Sequence, residues 1–408
     1  MYYYLSFLRP PPLQSSLSAP ITITPQVSND LRTEPLLDPL DIFYFWTLPP
    51  PASPTPLSTP VKLTTWRSAN AYKELSIPPP PCVRDGMRFC LVLTTSPAMQ
   101  PSPSEIDLRT HCTRISAPFP VSSLPIAFSL RMPKGKIPKQ ESIIRAFRFS
   151  DAEGSLVRVR EQTSFDLDKK LWDSGIGLSA WLTELHASST HPKNPKTHPL
   201  VNKAMTILFK KENCEIIELG AGTGVVSLTM AALRSADASL SEYPARILTT
   251  DLPSSMEVME HNITQNDSLF TARVPVALVL DWDGGLPPQV LDVGSRGGFD
   301  MIVMADVTYN TSSFPALVNT LSALLALSPK STTSDASEST ADESEITKTA
   351  QNANAEAPLI LLAYKQRDSA ERELWELLRE KTGVQLVQIN ALPGAGGEAV
   401  EIWVGQAT

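Results

Sequence analysis

The stretch that decides the fold is Glu215-Ile-Ile-Glu-Leu-Gly-Ala-Gly-Thr-Gly224, which runs directly into Val225-Val-Ser-Leu-Thr-Met230. The first five residues read as a strand buried on both faces, and the apolar spacing beyond Gly224 reads as a helix over 224–235. A strand, a sharp glycine turn and a helix open a parallel α/β sheet. Glycines there let the backbone turn tightly and approach a ligand, while the helix start offers unpaired N–H groups. A dinucleotide fingerprint would need a third glycine three places after Gly222, where Val225 stands, so a pyrophosphate cradle is disfavoured. A tight turn without a ligand is the plainer alternative.

Downstream, strands alternate with helical stretches. Strands are expected at Arg246–Thr250, 274–280, Phe299–Met304 and Leu359–Tyr364, with helices at about 253–265, 314–327 and 368–381. Two last strands, Val384–Ile389 and Val400–Val404, have no helix between them and so cannot be parallel neighbours. The expectation is an α/β, Rossmann-like, seven-stranded, mostly parallel sheet closing in an antiparallel hairpin. Residues 329–357 carry two Lys, six acids and almost nothing to bury, and read as a disordered acidic insertion. The helix Arg367 to Lys381 alternates charge and reads as a solvent-exposed face with Leu374, Leu377 and Leu378 packed inward.

Several residues fall on the C-terminal edge of this sheet. Asp251 ends the second strand, where a carboxylate can accept hydrogen bonds from both hydroxyls of a ribose or cap the next helix. It lies 29 residues after Gly222, and the excess is the polar loop 235–243, on the side of the sheet away from the ligand crevice. Asp281-Trp282-Asp283 follows the third strand, so the indole is equally a base-stacking surface or a core residue. Ala305-Asp306-Val-Thr-Tyr309 caps the fourth strand, with a small residue where a ligand would press on the backbone and an acid and a phenol beside it. Ahead of the first strand stands Leu171-Trp172-Asp173-Ser-Gly175-Ile-Gly177, with Asp173 a candidate helix cap.

The first part of the chain reads differently. Of 37 prolines, 25 fall within residues 1–150. Residues 1–60 read as proline-rich and disordered or extended; residues 61–165 read as a small β-rich region built on runs such as Val61–Trp66, Met87–Thr94, Ile143–Phe149 and Ser155–Arg160. Alternation in the last two runs suggests a half-buried antiparallel sheet. A charge of −8 argues against broad electrostatic binding to nucleic acid. Four cysteines, Cys82, Cys90, Cys112 and Cys214, without CxxC spacing, suit free thiols in a reducing compartment. No run is long and apolar enough to span a bilayer, the start is unlike a secretory signal, and the sequons at Asn262 and Asn310 therefore carry little weight. His186, His191 and His198 have no metal-pair spacing, and no metal is expected.

Together, Leu171-Trp-Asp173, Glu218-Leu-Gly-Ala-Gly-Thr-Gly224, Asp251, Asp281-Trp282 and Asp306-Val-Thr-Tyr309 resemble the seven-β-strand protein lysine methyltransferases that act on non-histone proteins. The likeness runs from about Phe165 to Val404, with five motifs in family order, and a methyltransferase domain is expected over 166–408. It implies S-adenosyl-L-methionine as cofactor. Trp172 and the loop Gly220, Ala221 and Gly222, with Glu218 at its head, would hold the amino-acid part; Asp251 would take the ribose; Trp282 and Ala305 would flank the adenine. Asp306 and Tyr309 would form the lysine gate, with Asp306 attracting the substrate ammonium and Tyr309 walling or hydrogen-bonding the amine. The partner implied is a protein presenting a lysine, and the chain is expected to be a monomer of the cytoplasm, the nucleus or both. The acidic insertion and the proline-rich start depart from the pattern.

Three other readings share parts of these features. A small-molecule N-methyltransferase acting on a nicotinamide-like amine would use the same fold and loop. A non-catalytic interaction protein could keep the fold, although intact glycines, Asp251 and Asp306 count against decay. An NAD-dependent oxidoreductase lacks both the third fingerprint glycine and a later Tyr-x-x-x-Lys.

Overall fold

The computed structural model describes residues 2–50, 56–99, 102–110, 117–164, 166–189, 197–209, 213–236, 245–271, 273–328, 357–393 and 397–407. Nearly all of the acidic insertion, Cys112 and most of the polar loop 235–243 lie outside them.

Among the described residues, and apart from one 3-10 turn at Ser68–Asn70, the N-terminal part is built of strands. They are β1 (Tyr4–Arg9), β2 (Gln14–Ser16), β3 (Ile21–Ser28), β4 (Leu40–Thr47), β5 (Val61–Trp66), β6 (Leu75–Ile77), β7 (Arg88–Thr94), β8 (Glu105–Asp107), β9 (Val121–Ser123), β10 (Ile126–Ser129), β11 (Ser142–Arg148) and β12 (Leu156–Gln162). β3 lies between β1 and β6 in a three-stranded sheet, and the other nine strands form a second sheet. This corrects the reading of residues 1–60 as disordered or merely extended: four of the strands lie there. The prolines sit where a missing N–H does no harm. Pro10 to Pro12 join β1 to β2, and Pro25 stands in β3 opposite Phe7, beside a β-bulge and beyond Ile23, where pairing to β6 ends. Between them, Leu5, Ile23 and Val27 are fully buried and share a core with Trp46, Trp66 and Phe128.

β11 was expected to be half buried. It is buried along nearly its whole length: Ile144 and Ala146 on the second face are covered too, and on the first Arg145 points inward with Ile143 and Phe147 and meets Glu161 of β12 at 2.7 Å.

The second part alternates. It runs α1 (Asp173–Ser189), α2 (Pro199–Phe209), β13 (Glu215–Leu219), α3 (Val225–Ala236), β14 (Arg246–Asp251), α4 (Met256–Gln265), β15 (Val276–Val279), α5 (Pro288–Gly294), β16 (Met301–Ala305), α6 (Phe314–Leu325), β17 (Leu359–Lys365), α7 (Glu373–Thr382), β18 (Val384–Leu392) and β19 (Val400–Ala407). The sheet order is β15-β14-β13-β16-β17-β19-β18. The first five strands are parallel, and β19 is antiparallel to both of its neighbours. This is the seven-stranded, mostly parallel sheet with a C-terminal hairpin that the strand runs implied.

Period-two alternation explains why both faces of this sheet must be covered. Ile216, Met301, Val303, Leu359 and Leu361 pack on one face beneath α1, α3 and α4. Ile217, Ile302, Met304, Ile360 and Tyr364 pack on the other beneath α5, α6 and α7. The first of these cores continues into the N-terminal part through Tyr4, Phe119, Phe147 and Val159, so the two parts share apolar packing. Two asparagines four residues apart, Asn262 on α4 and Asn266 at its C-terminal cap, also close the outer edge of β12. Asn262 pairs with the N–H and C=O of Arg160 at 2.8 and 3.0 Å, and Asn266 does the same for Arg158 at 2.8 and 2.7 Å. Asn262, half of a sequon, is thus fully buried structural glue. Among the described residues, no helix is long and apolar enough to cross a membrane.

Candidate functional site

Leu219, Asp251, Val279, Ala305 and Lys365 end the five parallel strands on one rim, so the residues that follow them converge there. They line a cavity of about 330 Å³, within the size range of small-molecule sites. Every site residue expected from sequence lines it: Trp172, Glu218, Gly220, Ala221, Gly222, Asp251, Trp282, Ala305, Asp306 and Tyr309.

The glycine loop forms one wall. Gly220 and Gly222 have φ of 65° and 55°, the left-handed region that disfavours any side chain. A Cβ on Gly220 would stand 2.9 Å from Val307 Cγ1 and 3.4 Å from the Trp282 ring, and one on Gly222 would stand 3.4 Å from the Asp168 carbonyl. The loop is fixed from below: the Ala221 N–H donates to Thr250 O at 3.0 Å, and the Thr250 hydroxyl to Glu218 O at 2.6 Å.

Asp251 receives the Gly222 N–H at 2.7 Å on one oxygen and the Leu252 N–H at 2.6 Å on the other. The Ser255 hydroxyl also acts on this carboxylate, and a lone pair is still left for a hydroxyl donor. Burial pushes its carboxyl above the usual range, and the two N–H groups oppose that. The Trp172 indole donates to Leu167 O at 2.9 Å, which holds the ring on the rim.

Glu218 is the most desolvated acid of the site, 1% exposed, with Ser227 donating both its N–H, at 3.0 Å, and its hydroxyl to one oxygen. Burial outweighs these donors and pushes its carboxyl up to about 7 from a usual 4.5. Because the folded state holds this proton more tightly, stability falls as pH rises from about 4.5 through about 7. Glu218→Gln is expected to remove that slope, so its advantage over wild type grows by about 2–3 kcal/mol between pH 5 and pH 8 in denaturant unfolding.

Two of the carboxylates picked out in sequence have partners of their own. Asp173, the first residue of α1, is engaged across the molecule. It is fully buried and accepts from Tyr4 Oη at 2.6 Å, Tyr2 N at 2.9 Å and Lys365 Nζ at 2.8 Å. Asp306 does not present a free carboxylate to an incoming ammonium. The Arg367 guanidinium grips both of its oxygens, one contact being 2.6 Å, and its backbone sits at φ 63° with its N–H on Ala363 O at 3.1 Å. Tyr309, which also lines the cavity, is 60% exposed.

Lys365, Arg367 and Asp30 were missed in sequence. Arg367 precedes α7 and is turned inward, so it is not part of the solvent-facing charge pattern. The only signal was its position two residues past β17, on the same rim as the other site residues.

Residues 151–351 match a family model described as lysine methyltransferase. The chain is 28% identical over 168 residues to a UPF0665 family protein of Schizosaccharomyces pombe, covering 40% of this chain and 41% of that protein. It is 29% identical over 191 residues to the protein-lysine N-methyltransferase EFM2 of Saccharomyces cerevisiae, covering 46% and 42%. It is 33% identical over 119 residues to the EEF1A lysine methyltransferase 3 of Mus musculus, covering 28% and 43%. The chain spans less than half the length of these curated relatives. All ten residues that meet at the cavity fall inside the stretch that matches the lysine methyltransferase family model.

Proposed function

We propose that this chain is an S-adenosyl-L-methionine-dependent methyltransferase that acts on a lysine side chain of a non-histone protein. The observation that carries the reading is the cradle at Gly220 and Gly222: two left-handed glycines, the first with no room for a Cβ, next to a carboxylate with a lone pair to spare and an indole. A nucleoside with a short zwitterionic tail fits that donor set. Asp251 takes ribose hydroxyls, Trp282 lies against the base, and the N–H groups where α3 begins face the tail carboxylate. When bound, the cofactor supplies an already activated methyl sulfonium. This chain's residues then have to place a neutral amine in line and exclude water, which is a matter of orientation. A lysine amine with a pKa near 10.4 must lose its proton first. No side chain at the mouth need act as a strong base, because solvent can take that proton.

Lysine of a protein is favoured over a small amine by the exposed Tyr309 at an open rim and by the names of the relatives. Tyr309→Ala is expected to lower methyl transfer at least about tenfold through lost orientation while cofactor affinity stays within about twofold. Steady-state kinetics paired with calorimetry reads both. The acceptor class is tested with labelled S-adenosylmethionine and an extract of cells lacking the protein. Label in a protein band, released as methyl-lysine on hydrolysis, supports the reading; label confined to the small-molecule fraction overturns it in favour of a small-molecule N-methyltransferase.

A further inference from the structure

We propose that Asp30, from the N-terminal β-domain, is a positioning residue for the amino-acid end of the cofactor site, acting through Arg367 on Trp172 and Asp306. The proposal rests on the cofactor reading above and adds to it a role for the N-terminal part of the chain.

Asp30 is presented rigidly. It follows β3 in a turn where Asn29 Oδ1 accepts the N–H groups of Thr33 and Glu34 at 3.0 and 3.2 Å, and where Arg32 donates to the Thr163 carbonyl at 2.8 Å. Its own side chain is fully buried. One oxygen accepts Arg367 Nη2 at 2.9 Å, and the other lies 3.3 Å from Lys365 Nζ.

Arg367 carries the link onward. The same guanidinium holds Asp306 by a two-point fork and lies over the Trp172 ring, 5.4 Å from its centroid. Trp172 and Asp306 both line the cavity, whereas Asp30 and Arg367 are not among the residues that line it. One planar cation therefore fixes two cavity residues and is itself fixed from another domain. Its Nε is buried without a hydrogen-bond partner among the described residues, so the two terminal nitrogens hold the group in place.

Sheet order says which end of the cavity this network governs. Asp251 ends β14 and Trp282 follows β15, on one side of the glycine loop, and Asp306 and Arg367 follow β16 and β17, on the other. A nucleoside held by Asp251 and Trp282 leaves its amino-acid tail toward Trp172 and Asp306.

Charge count suggests that the test variant folds. Asp30, Asp173 and Asp306 face Lys365 and Arg367, three carboxylates against two cations. Asp30→Asn leaves two of each, with Lys365 still on Asp173 and Arg367 still on Asp306.

Calorimetry on the full chain with two probes, S-adenosylmethionine and adenosine, tests the proposal. Asp30→Asn is expected to raise the S-adenosylmethionine dissociation constant at least tenfold at one site per chain, while adenosine affinity stays within twofold. A merely structural role would weaken both ligands alike or lower the number of sites, and either result overturns the proposal. So does unchanged S-adenosylmethionine affinity. Should Asp30→Asn not fold, Asp30→Ser, smaller and still able to accept the Leu31 N–H, carries the same expectation. A wild-type chain that binds neither probe overturns the cofactor reading and this proposal with it, a failure told apart because the wild type itself shows it.

Discussion

Gly220→Val is expected to reduce S-adenosylmethionine affinity about 1,000-fold, equivalent to about 4 kcal/mol. Two costs combine. At φ 65° a β-branched residue sits in a region that costs of order 1–3 kcal/mol, and the loop escapes the strain only by moving. Its Cβ would also stand 2.9 Å from Val307 Cγ1 and against the Trp282 ring, so either the ring or the strand tip must shift from where the base would lie. The global fold should survive, because Gly220 is a rim residue and the core beneath it, Ile217 and Leu219, is untouched. Calorimetry with the variant and a parallel thermal melt separate the two effects. Near-wild-type affinity in the variant would show that no ligand approaches this backbone.

Arg145→Ala is expected to destabilise the chain by about 3 kcal/mol, because it takes the ion-pair partner from a buried carboxylate and leaves Arg32, Lys170 and the Leu171 N–H near it. Arg145 and Glu161 have side chains 2% and 5% exposed. The guanidinium donates to Glu161 at 2.7 Å, to Pro120 O at 2.8 Å and to Leu5 O at 2.9 Å, and it lies 5.2 Å from the centroid of the Tyr4 ring. One side chain thus ties β1, the segment before β9, and β12 together across the junction of the two N-terminal sheets. Glu161 also accepts the Leu171 N–H at 3.2 Å, next to Trp172, so the damage should reach the cofactor rim. Equilibrium denaturation reads the loss. Arg145→Met combined with Glu161→Gln, which removes both charges, should recover part of it. A single variant as stable as wild type would show that the Arg145–Glu161 pair does not hold the N-terminal sheets together.

The parallel sheet was legible because it is buried on both faces. Runs such as Ile216-Ile217 and Leu359-Ile360-Leu361-Leu362 have no polar face to confuse their reading, and the missing helix between β18 and β19 left only an antiparallel ending. The cofactor rim was legible for a different reason. Glycines with positive φ and carboxylates at strand ends are needed by the backbone geometry itself, so their spacing carries the site. The N-terminal sheets were hidden by composition: prolines at turns and beside a bulge masked the alternation of Ile21-Thr-Ile-Thr24. Arg145 was hidden by its charge, since an inward arginine breaks the pattern that identifies a core face. Asp30, Lys365 and Arg367 could not be joined from sequence at all, because 335 and 337 residues separate Asp30 from its two partners. Their meeting is a consequence of how the two domains dock. It also turns Asp306 from a free carboxylate into the anchor of an arginine.

The most direct test of the central claim is calorimetric titration of the full chain with S-adenosylmethionine, wild type beside Asp251→Ala. The account expects one saturable site per chain in wild type and at least about a tenfold loss of affinity in Asp251→Ala, the ribose hydroxyls having lost a charged acceptor. Absence of binding to the wild type, or equal binding by both proteins, would contradict the placing of an adenosyl cofactor on this rim.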